Sequence, residues 1–141
     1  MSSKEQDIVD RLNSHHPAII RTLGGRVSEV DTATATCVMT FDIDEQLCHS
    51  TNIVQGGIVT AMLDATMTHA VFAMQPDVIQ LSSLEIKVNF LEPSLAGEFS
   101  CRGTVRRSGY KISFLEGELY NSEGKLTATA STTAKLGRGS A

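Results

Sequence analysis

The sequence predicts an α+β fold in which one curved antiparallel sheet wraps around a single long helix. Three observations predict it. Residues 58–74 (IVTAMLDATMTHAVFAM) place apolar side chains at 59, 62, 63, 66, 67, 70, 71 and 74, a helical spacing with Thr66 as its weakest member. From Ile79 onward the period falls to two, and turn signals divide the chain at Glu92-Pro93, Ser108-Gly109 and Asn121-Ser122-Glu123-Gly124. The helix is also apolar on most of its sides, so a sheet must curve about it and a second copy of the chain is the simplest cover for the rest.

Taken in order, residues 5–13 read as a short helix with Ile8, Val9 and Leu12 on one side, interrupted by His15, His16 and Pro17. Leu23-Gly24-Gly25 marks a turn, and residues 26–31 and 34–43 read as two strands in which Cys37, Met39 and Phe41 alternate with Thr36, Val38 and Thr40. Residues 44–55 read as a polar loop, Gly56-Gly57 opens the long helix, and Pro76 ends it. Residues 79–91 form a strand with Leu84, Ile86, Val88 and Phe90 on one face and Glu85, Lys87 and Asn89 on the other. Strands over 99–107, 110–120 and 126–136 complete a meander, and residues 137–141 read as a frayed tail.

The 141 residues fit one domain, with 12 basic and 16 acidic side chains and a formal charge of -4. No block of like charge stands out, which argues against nucleic acid or an anionic membrane as partner. No apolar run free of polar residues reaches membrane-span length, and the polar N-terminus does not read as a secretory signal. Cys37, Cys48 and Cys101 are odd in number and lack C-x-x-C spacing. The expectation is a reduced, cytoplasmic protein without a disulfide framework or metal site.

Asp64 is the one carboxylate in the apolar run, which holds no Lys or Arg. Burying an ionised carboxylate costs several kcal/mol unless something compensates it, so Asp64 is the leading catalytic candidate. The bland alternative is a buried acid bonded to Thr60 or Thr68, one turn to either side. Gly56-Gly57 in turn places free N–H groups and the positive end of a helix dipole at a helix start, where glycine lets a carbonyl approach. Eight residues separate Gly56 from Asp64, about 12 Å along a helix axis, too far for both to reach one atom.

The order of elements and the string Gln55-Gly56-Gly57-Ile58-Val59-Thr60-Ala61-Met62-Leu63-Asp64-Ala65 resemble the PaaI-like group of hotdog-fold acyl-CoA thioesterases. So do SLEIKVNFLEPSLAGEF and RGTVRRSGYKISFLEGELYNSEGKLTATASTTAKL, and the likeness covers residues 20–136. The resemblance implies a homodimer or homotetramer whose sites lie between subunits. It implies Asp64 as general base or nucleophile and Gly56 or Gly57 as the backbone donor to the thioester oxygen, with Gln55 assisting. It implies substrate contacts from Thr68, from Ser82 or Ser83, and from His49 or Asn52. It places Arg106 and Arg107, beside a glycine turn, near the nucleotide end of coenzyme A, which is part of the substrate rather than a cofactor. The family's histidine before Gly-Gly is Gln55 here, which cannot carry a proton at neutral pH. A hotdog hydratase or dehydratase and a non-catalytic acyl-CoA binding module are the alternative expectations. Cys48-His49 offers no nucleophile–base pair, because adjacent loop residues rarely reach productive geometry.

Overall fold

The computed structural model describes residues 1–139. The expected tail splits accordingly: Gly137 and Arg138 continue the last strand, and Ser140 and Ala141 lie outside the described residues. In chain order the elements are α1 (Ser3–Asn13), α2 (Ala18–Thr22), β1 (Arg26–Asp31), β2 (Thr36–Ile43), β3 (Cys48–His49), β4 (Ile53–Val54), α3 (Gly56–Met74), β5 (Val78–Phe90), β6 (Gly97–Ser108), β7 (Ile112–Asn121) and β8 (Leu126–Arg138). Six strands form one antiparallel sheet in the order β1-β2-β6-β7-β8-β5.

That order corrects the expected meander. β6, β7 and β8 are consecutive neighbours, but β5 lies beyond β8 at the sheet edge, so the β5–β6 connection crosses the sheet. The expected polar loop holds a 3₁₀ turn (Glu45–Leu47) and the small hairpin β3–β4. α2, unforeseen after Pro17, is a single turn that buries Ile20.

α3 lies across the concave face of the sheet. Met62, Leu63, Met67 and Val71 are fully buried beneath it, and each contributes on the order of 1.5–3 kcal/mol by leaving water. Two glycines set how close the helix can come. A Cβ on Gly103 of β6 would stand 2.6 Å from the Thr66 carbonyl oxygen, and one on Gly117 of β7 would stand 3.1 Å from Leu63 Cδ2. The helix therefore rests on sheet backbone there. At 19 residues α3 is long and apolar enough to cross a membrane by composition, but in this fold it is the core helix.

The N-terminal arm is fastened at both ends of α1. A capping box joins Ser2 and Glu5, and Glu5 Oε1 accepts from Thr32 N–H and Thr32 Oγ1, both at 3.1 Å. At the other end Asn13 pairs with the Val27 backbone in both directions, Nδ2 donating to the carbonyl at 2.8 Å and Oδ1 accepting from N–H at 2.9 Å. Val9 and Leu12 are buried by this docking.

Candidate active site

Asp64 sits midway along α3, half-buried, on the side that faces β5 and the arm. Its partner comes from the sheet: Ser83 Oγ donates to Asp64 Oδ1 at 2.7 Å. Oδ2 takes no hydrogen bond from any described residue. The threonine partners of the alternative reading do not bond it. Thr60 Oγ1 donates to the Gly56 carbonyl at 2.9 Å instead, and Thr68 shares only the cavity. Ser83, itself exposed, is on the face toward Asp64 because β5 is irregular between Ser83 and Glu85, where pairing with β8 shifts register. Ser82 pairs with Lys135 and is exposed, and Leu84 is exposed at 57% rather than sharing a buried face with Ile86 and Val88.

A cavity of about 420 Å³ opens beside Asp64. One wall is α3, with Ala61, Asp64, Ala65, Thr68, His69 and Phe72. The other is the arm, with Arg11, Leu12, His15, Pro17, Ile19, Ile20 and Leu23, and the start of β5 (Val78, Ile79) closes an end. A carboxylate at such a mouth can take a proton from water or attack an electrophilic carbon itself.

The N-terminus of α3 opens on a different cavity, about 430 Å³, lined by His49, Ile53, Gly56, Val59, Phe90 and Leu91 among others. Gln55 is the N-cap residue, is exposed, and makes no capping bond with its side chain. The Gln55 carbonyl takes the N–H groups of Ile58 and Val59 at 2.8 and 3.1 Å. The N–H groups of Gly56 and Gly57 find no acceptor among the described residues. Neither glycine is required by its own chain: neither has positive φ, a Cβ on Gly56 would meet only the Phe90 ring at an ordinary 3.5 Å, and one on Gly57 would meet nothing within 4 Å. His49 is exposed, its Nδ1 3.1 Å from Ser50 Oγ, and Asn52 is half-buried with its carbonyl accepting from Ala96 N–H at 2.9 Å.

One chain therefore brings Asp64, Ser83 and Thr68 together at one cavity and Gly56 and His49 together at another, with Gln55, Gly57 and Asn52 beside the second. Arg106 and Arg107 join neither. Both are exposed at the end of β6, and Arg106 Nε lies 3.7 Å from Glu116 on the neighbouring strand.

The thiols stay outside the chemistry. Cys37 and Cys101 are pushed up to about 12, chiefly by burial. Cys48 is raised by partial burial and by the Glu45 and Asp44 carboxylates, and its sulfur is directed at the Asp44 carbonyl rather than at His49. Among the described residues no group of three metal-ligating side chains forms.

Two imidazoles meet without any sign of a contact in the sequence. His69, 8% exposed, lines the Asp64 cavity, and His16, expected at the surface, packs against it with ring centroids 5.9 Å apart. Both are held below their ordinary value, first of all by burial. The apolar string Ile19-Ile20-Leu23 after Pro17 was the signal that this segment docks.

A six-stranded sheet about one central helix, with an acid on the helix and a bare helix N-terminus, is the arrangement of hotdog-fold enzymes. The thioesterase superfamily pattern matches residues 51–128. A phenylacetic acid degradation-related protein from Ralstonia eutropha JMP134 shares 31% identity, over 91% of this chain and 98% of that one, with a TM-score of 0.83. The E. coli PaaI protein of the phenylacetic acid degradation operon has the same fold at 19% identity, over 98% and 99% of the two chains, with a TM-score of 0.82. A Streptococcus pneumoniae TIGR4 protein solved with coenzyme A does so at 14% identity, over 88% and 94%, with a TM-score of 0.76. The chain belongs to the thioesterase superfamily and is a thioester hydrolase of the PaaI-like hotdog type.

Proposed function

We propose that the protein hydrolyses acyl-CoA thioesters at a site shared between two copies of the chain. The observation that carries this reading is the separation of Asp64 and the α3 N-terminus onto different cavities of one protomer. Neither half can serve one carbonyl alone. β5 is an edge strand with large exposed apolar residues, Ile79, Leu84 and Phe90 among them. A second β5 laid against this edge covers them and brings the α3 start of one copy toward Asp64 of the other.

Asp64 takes a proton from water as its oxygen attacks the thioester carbon. The developing oxyanion accepts the N–H of Gly56 or Gly57, favoured by the helix dipole, and Gln55 adds a neutral donor where relatives place histidine. Collapse of the tetrahedral intermediate breaks the carbon–sulfur bond and releases coenzyme A thiolate, leaving the free acid. Direct attack by Asp64, with hydrolysis of the resulting anhydride, gives the same products. Thr68 lies on the acyl side of this site, while Ser82, His49 and Asn52 are peripheral polar contacts. Arg107, with Arg106 once it leaves Glu116, suits a coenzyme A phosphate. The coenzyme A held by the streptococcal neighbour supports the thiol half of this substrate. Three free thiols suit a reducing, cytoplasmic compartment.

A hydratase would need an imidazole beside the acid, but His69 Nδ1 is engaged with the Ala65 carbonyl at 2.7 Å. Mixing two inactive variants tests the shared site. Gly56→Pro removes one N–H at the first helical position, which accepts proline, and Gln55 before it already has the extended backbone (ψ 137°) that proline requires. Subunit exchange between Asp64→Asn and Gly56→Pro proteins is expected to restore thiol release, because mixed dimers regain one intact site. Persistent inactivity of verified heterodimers would place both halves of the site in one chain.

A further inference from the structure

One side chain ties three segments together at one end of the sheet. Arg138, the last residue of β8, has its side chain 15% exposed and makes four hydrogen bonds. Nη1 pairs with Asp77 Oδ2 at 2.6 Å and Nη2 donates to Gln75 Oε1 at 2.8 Å, both in the segment that leads from α3 into β5. Nε donates to the Tyr110 carbonyl at 3.0 Å and Nη2 to the Gly109 carbonyl at 3.3 Å, both in the β6–β7 turn. The guanidinium also lies 4.5 Å from the centre of the Tyr110 ring. Gln75 Nε2 reaches the same turn, donating to Ser108 Oγ.

The turn does not need this fastening to form, because Gly109 N–H already closes it on the Ile112 carbonyl at 2.8 Å and Ser108 pairs with Ser113 across it. Arg138 adds a fixed direction of the turn relative to α3 and β8. The turn carries free charge. Arg107 and Lys111 flank it, both are exposed, and among the described residues neither forms an ion pair. Arg138, by contrast, is neutralised by Asp77 and directed at protein acceptors.

We propose that Arg138 is a positioning residue for the coenzyme A end of the site: it aims the β6–β7 turn so that Arg107 and Lys111 meet a phosphate of the substrate, and it does not touch the substrate itself. The inference rests on the proposed contact between Arg107 and a coenzyme A phosphate. Two long cations on an ordered turn lose less freedom on binding than the same two on a loose one. Lysine cannot take over this task, since one ammonium does not span two carbonyls, a carboxylate and an amide as the planar guanidinium does.

The test uses coenzyme A itself, titrated calorimetrically. Its Kd is expected to rise about tenfold in both Arg138→Met and Arg138→Lys proteins. Wild-type affinity in Arg138→Lys would mean that the charge alone matters, and would overturn the positioning role. In an Arg107→Ala/Lys111→Ala background, adding Arg138→Met is expected to change Kd by less than about twofold. A full further tenfold loss there would show that Arg138 acts on its own and overturn the proposal. With phenylacetyl-CoA as substrate, Arg138→Met is expected to raise KM while kcat holds, and a matching fall in kcat would mark general loosening instead. The Arg107→Ala/Lys111→Ala protein separates this proposal from the one beneath it. Unchanged coenzyme A binding by that protein would remove the nucleotide from this turn altogether. Weakened binding there, beside unchanged binding by Arg138→Met, would sink the role of Arg138 alone.

Discussion

The two cavities along α3 differ in how they are walled. At Asp64 the walls come from segments far apart in sequence, the arm, the middle of α3 and β5, and a hydrogen bond from Ser83 holds Oδ1 of the carboxylate. At the helix start the groups left free are backbone N–H, and the two glycines that carry them have no conformational or packing need within their own chain. The first half of the site is built by tertiary structure. The second is a helix end left bare, whose residue choice makes sense only beside something outside the protomer.

Substitutions can set these halves against each other. The largest effect is expected from Asp64→Asn, which keeps size and the Ser83 contact but removes the base. Turnover should fall about 10²- to 10⁴-fold in a thiol-release assay, with the melting temperature held or raised. Gly56→Pro is expected to cost about 10²- to 10³-fold in kcat if its N–H meets the oxyanion. A small loss there moves that role to Gly57 and narrows the comparison to one peptide unit. Ser83→Ala should be milder, about tenfold in kcat, because it frees the carboxylate to rotate without removing it. Together the series asks whether loss of a reacting group outweighs loss of its support.

The smallest effect concerns stability and belongs to the Asp64 side alone. His69 and His16 are lowered from the ordinary 6.5, so the unfolded chain binds protons more readily than the folded one. Stability is complete above pH 6.5 and falls as pH drops through that value toward the folded-state pKa. Melting temperatures from about pH 8 to pH 5 should decline on the acid side, and the His69→Phe protein should show a flatter curve. An equal decline would trace the effect to other groups.

Periodicity made most of the fold readable. The helix over 56–74 and the alternation in residues 79–136 are local signals, and Asp64 stood out because charge is costly in an apolar run. What stayed hidden depends on pairing between distant segments. Nothing near β5 encodes that it lies beyond β8 rather than beside β6. That Ser83 rather than Ser82 bonds Asp64 goes with a register shift against β8, which alternation alone does not reveal. His16 read as solvated because its ring partner, His69, is supplied by α3 and meets it only once the arm docks.

The arm fastened by Asn13 has a consequence for how such an enzyme changes. It forms one wall of the cavity beside Asp64 from one continuous stretch, and it holds neither Asp64 nor the start of α3. α3 meanwhile rests on the backbone of Gly103 and Gly117, so its placement does not depend on which side chains line the arm. On the reading proposed above, the arm's wall of the cavity and the reacting groups thus lie on separate pieces of sequence, while the facing wall belongs to α3. Exchanging the residues before Val27 for those of a relative would transplant the one and leave the other in place.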